Sequence, residues 1–374
     1  MSLSASILID GSVLEGGGQI LRNSVSLSAL LSQPIVIHKI RHGRTPPGLK
    51  NQHRTGLELA AELASARLTG AKNGSTDIEF VPGRIQLPGN YIADTVTAGS
   101  ITLLLQVALP LLMFSSRPVG PSTLTLLGGT NATQAPQIDY TKHVFLPFLK
   151  RHFGLGGESI LLDIRKRGSF PKGGGEVGIR VTPTYDKLRN VMLLERGGVK
   201  NICGISHYAK LPLAVGSEMV LGAKRRLAQA GLETVNIDCQ REPNSLSLGG
   251  GSGIVLWAEL EGGGMIGGSA VGRKGIAPEK VGEEAAEELI RGLEGGGCVD
   301  EWLQDQMIIF MALAEGTSQV RTGALTLHTQ TAIWLAQQLT DAKFEIEEES
   351  SGAVTTTVIR CQGIGYQYHQ EGLH

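Results

Sequence analysis

The sequence predicts an α/β protein in which sheets are covered by helices, and three observations carry that prediction. Strand-like and helical runs alternate from end to end, a pattern that calls for layers of sheet and helix. A glycine-rich turn opening an apolar helix recurs along the chain, the mark of a repeated unit. Hydrophobic residues make up 41% of the 374 positions and charged residues 18%. That composition supplies a large core and excludes disorder over most of the length. The length suits two domains, or one domain carrying an insert.

The repeated turn is first read at Glu15-Gly16-Gly17-Gly18, ahead of a helical pattern from Gln19 to Leu31. A similar stretch without the triplet runs from Asp94 through Gly99 into Ile101–Leu109, and Glu294-Gly-Gly-Gly precedes the run from Cys298 to Leu313. Further triplets stand at 173–175, 249–251 and 262–264. Glycine reaches 51 residues, roughly double ordinary usage, but no Gly-X-Y period runs through them and collagen is excluded. Strands are expected at Ile35–Ile40, Asp77–Val81, Leu124–Leu127, Ile160–Ile164, Glu176–Val181 and Thr355–Arg360. Helices are expected at Gly48–Ala66, Tyr140–Phe153 and Thr329–Thr340. The stretch 188–288 reads as a small inserted α/β domain with strands at Asn201–Ser206, Thr234–Cys239 and Gly253–Glu261 and helices at Pro212–Ala230 and Ala277–Leu293. Residues 1–187 and 289–374 then form the large domain, with the acidic run Glu345–Glu349 as a solvated loop between strands.

A net charge of −1 excludes a bulk polycation while leaving room for a local basic patch. The four cysteines are far apart, with no Cys-x-x-Cys pair, so neither a zinc site nor a disulfide framework is indicated and a reducing, intracellular setting is expected. The first residues are too polar for a signal peptide. The longest apolar stretch, Ile101–Phe114, is too short and too interrupted for a bilayer span, so no membrane association is expected.

Three constellations carry possible chemistry. Between Glu15 and Glu58 there is no acidic residue, yet Arg22, Lys39, Arg41, Arg44, Lys50 and Arg54 stand there with His38, His42 and His53. Such a window is either a solvated basic loop or an anion site. The glycine-rich helix start, where backbone N–H groups can approach a phosphate, favours the anion site. His328, in Thr326-Leu-His-Thr-Gln-Thr, ends a strand-like run and precedes a helix, where it is either a structural residue or a neutral nucleophile or base. No Asp or Ser lies near it in sequence, so a hydrolase triad is not supported. On a helix, Trp302, Asp305 and Gln306 share one face, as a purine platform or as an amphipathic face with Trp302 in the core. Gln106, in an apolar helix, needs partners from backbone or ligand.

Taken in order, these motifs resemble the RNA 3′-terminal phosphate cyclase family, and its eukaryotic form most closely. The resemblance is carried by Glu15-Gly-Gly-Gly-Gln-Ile-Leu-Arg22, Ile40-Arg-His-Gly-Arg44, Gln52-His53, Gly128-Gly-Thr-Asn, Ala135-Pro-Gln-Ile-Asp-Tyr140, Pro171-Lys-Gly-Gly-Gly-Glu176, Val299-Asp-Glu-Trp-Leu-Gln-Asp-Gln306 and Leu327-His-Thr-Gln-Thr. It covers roughly Ile7 to Gly365. It implies a large domain of three similar units, each a four-stranded sheet with two helices, plus the small insert.

The resemblance also implies a reaction. A histidine, here His328, takes AMP from ATP and passes it to an RNA 3′-phosphate; the vicinal 2′-OH then displaces AMP and leaves a 2′,3′-cyclic phosphate. By the same resemblance Gln106, Pro136, Trp302, Asp305 and Gln306 line the nucleotide pocket. Arg22, Arg41, Arg44, Gln52 and His53 hold phosphates, with Arg41 and Arg44 expected to be exposed. Glu15 stands near a Mg²⁺ or Mn²⁺ ion. The partner is RNA ending in a 3′-phosphate, and the implied compartment is the nucleus. Trp302 departs from the family's usual Tyr, keeping a ring for stacking but losing a hydroxyl. Two rival readings are an inactive cyclase-like protein of ribosome assembly and an enolpyruvyl-type transferase. The first lacks the catalytic histidine and nucleotide set that are present here, and the second has no need of the Leu-His-Thr-Gln-Thr element.

Overall fold

The computed structural model describes residues 5–351 and 354–368. The first unit contains β1 (Ile7–Asp10), α1 (Gly18–Leu31), β2 (Ile35–His38), α2 (Asn51–Leu63), β3 (Arg67–Thr69) and β4 (Ile78–Val81). Its sheet order is β1-β2-β4-β3, with β1 and β2 parallel and the other pairs antiparallel. The second unit repeats this plan with β5 (Asn90–Asp94), α3 (Ile101–Leu112), β6 (Ser122–Gly128), a helical run, β7 (Ile160–Lys166) and β8 (Gly175–Val181). The helical run is made of α4 (Ile138–Tyr140), a π-turn (Thr141–Phe145) and α5 (Leu146–His152).

The third unit begins with β9 (Met192–Leu193) and is then interrupted. The interruption holds β10 (Val199–Ala209), α6 (Ala214–Gln229), β11 (Val235–Arg241), β12 (Gly251–Leu260), β13 (Met265–Val271) and α7 (Pro278–Glu294). The third unit resumes with α8 (Glu301–Gln306), α9 (Ile308–Leu313), β14 (Thr317–Thr322), α10 (Leu327–Leu339), β15 (Lys343–Ser351) and β16 (Val354–Gln362). Its order β9-β14-β16-β15 matches the first two units, whereas the fourth sheet, β11-β10-β12-β13, places its first strand centrally. Connectivity thus separates three like units from one unlike unit. The unlike unit enters where the others pass directly from their first strand to their first helix. Its elements span Val199–Glu294, beginning after and ending beyond the stretch read from sequence, because β9 pairs with β14 and α7 packs along α6 and β13.

One apolar core runs through the three like units, and a second lies between the fourth sheet and α6 and α7. Strand alternation in β12 connects them. Ile254, Leu256 and Ala258 face the second core, while Val255 and Trp257 face the first, where Trp257 stacks on His143 at 4.7 Å between ring centroids.

Three local expectations are corrected. The Gly295–Gly297 triplet ends α7, with the Gly295 N–H donating to Arg291 C=O and Gly296 at positive φ; α8 is opened instead by Asp300, whose carboxylate accepts from the N–H groups of Trp302 and Leu303. The run before His328 is not a strand: residues 323–326 form a bend and loop, and Thr326 caps α10 by accepting from Thr329 N–H. The acidic run Glu345–Glu349 lies within edge strand β15, paired throughout with β16.

Candidate active site

The N-termini of α1 and α10 meet at Glu15, with α2 packed along α1 and α8 joined to it through Asp305. Gly17 caps α1 with no side-chain cap, leaving first-turn N–H groups free of intrahelical partners. A Cβ on Gly17 would overlap the Glu15 carboxylate, and one on Gly18 would lie 2.7 Å from His53 Nε2 and 3.2 Å from an Arg22 guanidinium nitrogen. Glycine here lets a carboxylate, an imidazole and a guanidinium lie against the helix start; a side chain at either position would displace them.

Glu15 Oε1 accepts from Arg44 at 2.5 Å and lies 3.9 Å from His328 Nε2. Its backbone N–H donates to Thr331 Oγ1 of α10 at 3.1 Å, and Oε2 is buried without a hydrogen-bond partner. Burial, with the charges of Arg22 and Arg44, holds the half-exposed His328 imidazole below its ordinary value, against the pull of Glu15 and Glu301. The ring is therefore neutral near pH 7.

His53 accepts from Lys50 N–H through Nδ1 at 3.1 Å, so its Nε2 carries the proton. Burial first, then Arg22, Arg41 and Lys50, push it down to about 3, which makes it a neutral donor. Arg22 lies within the electrostatic reach of both Glu15 and Asp305, and its Nε is buried without a partner. Asp305 Oδ2 accepts from Gln19 Nε2 at 3.0 Å, while its Oδ1 has no partner. Burial raises the Asp305 carboxyl to about 7 despite Arg22. Gln52 Oε1 accepts from Ser100 N–H at 3.3 Å.

The remaining site residues fall in different places. Asp305, Gln306 and Gln106 line a cavity of about 20 Å³. Trp302 turns away from it: its indole N–H donates to Glu288 of α7 at 2.7 Å, and the ring borders cavities of about 220 and 380 Å³. The shared helical face expected for Trp302, Asp305 and Gln306 is thus divided, because Glu288 of α7 anchors the indole. Gln306 remains joined to Trp302 through a 2.7 Å bond from its side-chain amide to the Trp302 carbonyl. Pro136 is buried, its carbonyl accepting from Thr102 Oγ1 at 2.9 Å, and its neighbours Ala135 and Gln137 border the larger Trp302 cavity.

Arg41 is not exposed as expected. It is 7% accessible and donates to the carbonyls of Gly48 at 2.7 Å and Pro46 at 3.3 Å, which makes it a brace for the 46–48 turn. Arg44 is exposed as anticipated, with a side chain 48% accessible. Sequence reading missed Gln19, Thr331 and Glu288. Gln19 had a signal, since it follows the glycine triplet directly; Thr331 and Glu288 gain their roles only through tertiary contact.

Among the described residues no group of three or more His, Cys, Asp or Glu side chains is disposed to hold a metal. The unpartnered Glu15 Oε2 fits a divalent cation that takes its other oxygens from phosphates. With Arg22 and Arg44 beside it, Glu15 alone offers too little negative charge to hold one.

The fold and the site together define an α/β protein of three like units whose joined helix ends present cations, a carboxylate and a neutral imidazole. The RNA 3′-terminal phosphate cyclase family matches this chain over residues 13–346. A probable RNA 3′-terminal phosphate cyclase of Dictyostelium discoideum is 40% identical over 96% of this chain and 83% of its own length. The RNA 3′-terminal phosphate cyclases of Pyrobaculum neutrophilum and Drosophila melanogaster are each 39% identical over 96% of this chain, covering 99% and 96% of those proteins. The chain belongs to the RNA 3′-terminal phosphate cyclase family. A solved enolpyruvyl transferase, NikO from Streptomyces tendae, aligns over 97% of this chain and 49% of that one at 10% identity with a TM-score of 0.31, too weak a likeness to support an argument. Among the described residues no helix is long and apolar enough to cross a membrane.

Proposed function

We propose that this chain converts an RNA 3′-terminal phosphate to a 2′,3′-cyclic phosphate at the expense of ATP, with His328 as nucleophile. The observation that carries this reading is the His328 ring 3.9 Å from Glu15, at a glycine-lined helix start beside Arg22 and Arg44. A ring nitrogen of His328 attacks the α-phosphorus of ATP and pyrophosphate leaves. A 3′-phosphate oxygen then takes the AMP from histidine. The 2′-oxygen closes on the 3′-phosphorus and AMP departs.

Nucleotidyl transfer depends mainly on positioning and charge neutralisation. Arg44 and the α1 N-terminus are suited to phosphate oxygens, and His53 to donating from Nε2. Glu15 would hold one side of Mg²⁺ or Mn²⁺, which supplies charge neutralisation on the phosphates. Gln106, Asp305 and Gln306 are assigned to the nucleoside, with Trp302 and Pro136 at its edge and Gln52 toward the RNA. Val199–Glu294 is read as an inserted domain on the strength of its separate core and distinct strand order.

Incubation with α-labelled ATP and Mg²⁺ is expected to leave acid-labile AMP on the wild type and none on His328→Ala, with cyclic-phosphate ends appearing only when His328 is present. Labelling that persists in the variant overturns the assignment and points to another nucleophile, whereas a wild type that takes no label leaves the ribosome-assembly reading.

A further inference from the structure

A cleft of about 950 Å³ runs between the first, second and fourth units. Its walls are the start of α2 at Lys50–Gln52, the loops 97–99 and 131–134, Ser169–Pro171, and the segments 250–252 and 271–274. No Asp or Glu lines it, whereas Lys50, Arg273 and Lys274 do. Arg273 is held by Glu284 at 2.7 and 2.8 Å, but Lys50 and Lys274 have no ion-pair partner among the described residues. Phe170 stands on the wall with 81% of its surface in water, an unusual setting for a phenyl ring.

The cleft adjoins the candidate active site through Gln52, which also lines the cavity beside Arg22 and His53. Its walls are tied together by buried contacts. Arg167 of the second unit donates to Asp139 at 2.9 Å and to Glu242 of the fourth unit at 2.6 Å, and Gln137 donates to the Ala270 carbonyl at 3.1 Å.

We infer that this cleft binds the single-stranded RNA segment immediately upstream of the terminal phosphate, with Phe170 as a stacking platform for one base and Lys50 and Lys274 against the backbone. The inference rests on the proposed function for the identity of the polymer. Single-strand sites combine a cationic groove with aromatic faces, which is the pairing found here. An acid-free lining leaves the phosphates unopposed. A duplex keeps its bases stacked on each other and has none to offer Phe170.

The test is fluorescence anisotropy with a 5′-labelled single-stranded RNA of about ten nucleotides ending in a 3′-phosphate, alongside a dinucleotide with the same end. Phe170→Ala is expected to weaken the longer RNA roughly ten-fold and to leave the dinucleotide nearly unaffected. Lys274→Glu is expected to weaken the longer RNA and to lower the salt slope of binding by about 0.7 for the lost phosphate contact. Both positions are exposed, and thermal melts check that the fold is intact. Wild-type affinity in both variants, or a preference for blunt duplex, overturns the cleft assignment. Labelling of the wild type by ATP is scored separately. A wild type that takes no AMP yet binds RNA through Phe170 overturns the catalytic reading and supports the cleft. A wild type that takes AMP while both variants bind the longer RNA normally does the reverse.

Discussion

His328 of α10 and Glu15 of the loop before α1 face each other at 3.9 Å from opposite ends of the sequence, and Glu15 is simultaneously gripped by Arg44 at 2.5 Å. The carboxylate is close enough to favour imidazolium, but burial and the two nearby arginines prevail and the ring stays neutral. Label transfer from ATP is therefore expected to fall with acidity only below the ordinary imidazole value of 6.5. An NMR titration of the His328 ring should place its midpoint below that value, and lower still in Glu15→Gln, because Glu15 is the group raising it. A midpoint at or above 6.5 would show that the electrostatic balance is misread.

Arg41 and Arg44 lie three residues apart yet are predicted to fail differently. Arg44 makes an exposed ion pair, so Arg44→Ala is expected to change stability by less than about 1 kcal/mol while reducing use of 3′-phosphate RNA. Arg41→Ala leaves the buried Gly48 carbonyl, and the more open Pro46 carbonyl, without their donor, at a cost of about 1–3 kcal/mol. Urea titrations beside a cyclisation assay separate the two. Equal destabilisation would show that Arg44 is also structural.

What the sequence disclosed and what it concealed follow the range of the forces involved. The glycine-opened helices α1 and α3 were legible because local periodicity and turn chemistry specify them. Strand β13 was not, since Gly267 and Gly268 interrupt it. Its glycines are explained only by tertiary neighbours: a Cβ on Gly267 would strike the Tyr140 ring, and one on Gly268 the backbone of α7. Short strands such as β3 and β9, with three and two residues, carry too few positions for a period to register. In the site, charge depletion between Glu15 and Glu58 marked the cationic window, but it could not reveal that Arg41 folds back on its own turn. The Trp302–Glu288 pair was invisible because its halves belong to different units.

That pair yields a third prediction. Trp302→Phe keeps an aromatic ring but removes the indole N–H, leaving Glu288 Oε1 without its donor in a site where burial already raises the carboxyl. A loss of about 1–3 kcal/mol is expected in urea unfolding. Combining it with Glu288→Gln should recover part of the loss, because the neutral amide can still accept from Ser269 N–H and leaves no unpaired carboxylate. Full additivity of the two substitutions would show that the bond contributes nothing.

The buried bridge behind the cleft should govern behaviour in acid. Burial alone would raise Asp139, but Arg167 outweighs it through charge and hydrogen bonds and, with His207 and His143, brings the carboxyl to about 2. His207, 3.9 Å from Asp139, is held at about 3 by burial and by Arg167. Both groups bind fewer protons folded than unfolded, so both make stability fall as pH falls. For His207 the loss begins near its ordinary value of 6.5 and continues towards 3, and for Asp139 it runs from 3.8 down to about 2. His207→Gln, which can still pair with Asn131, is therefore expected to flatten the stability profile between the two histidine values by up to about 1.4 kcal/mol per pH unit. Arg167→Met should act differently, because it leaves Asp139 as an uncompensated buried charge at a cost of about 3–5 kcal/mol near neutrality. Denaturant melts across the pH range distinguish the two effects. An unchanged slope in His207→Gln would mean that the imidazole is already protonated in the folded protein and that the bridge is held by charge attraction to Asp139.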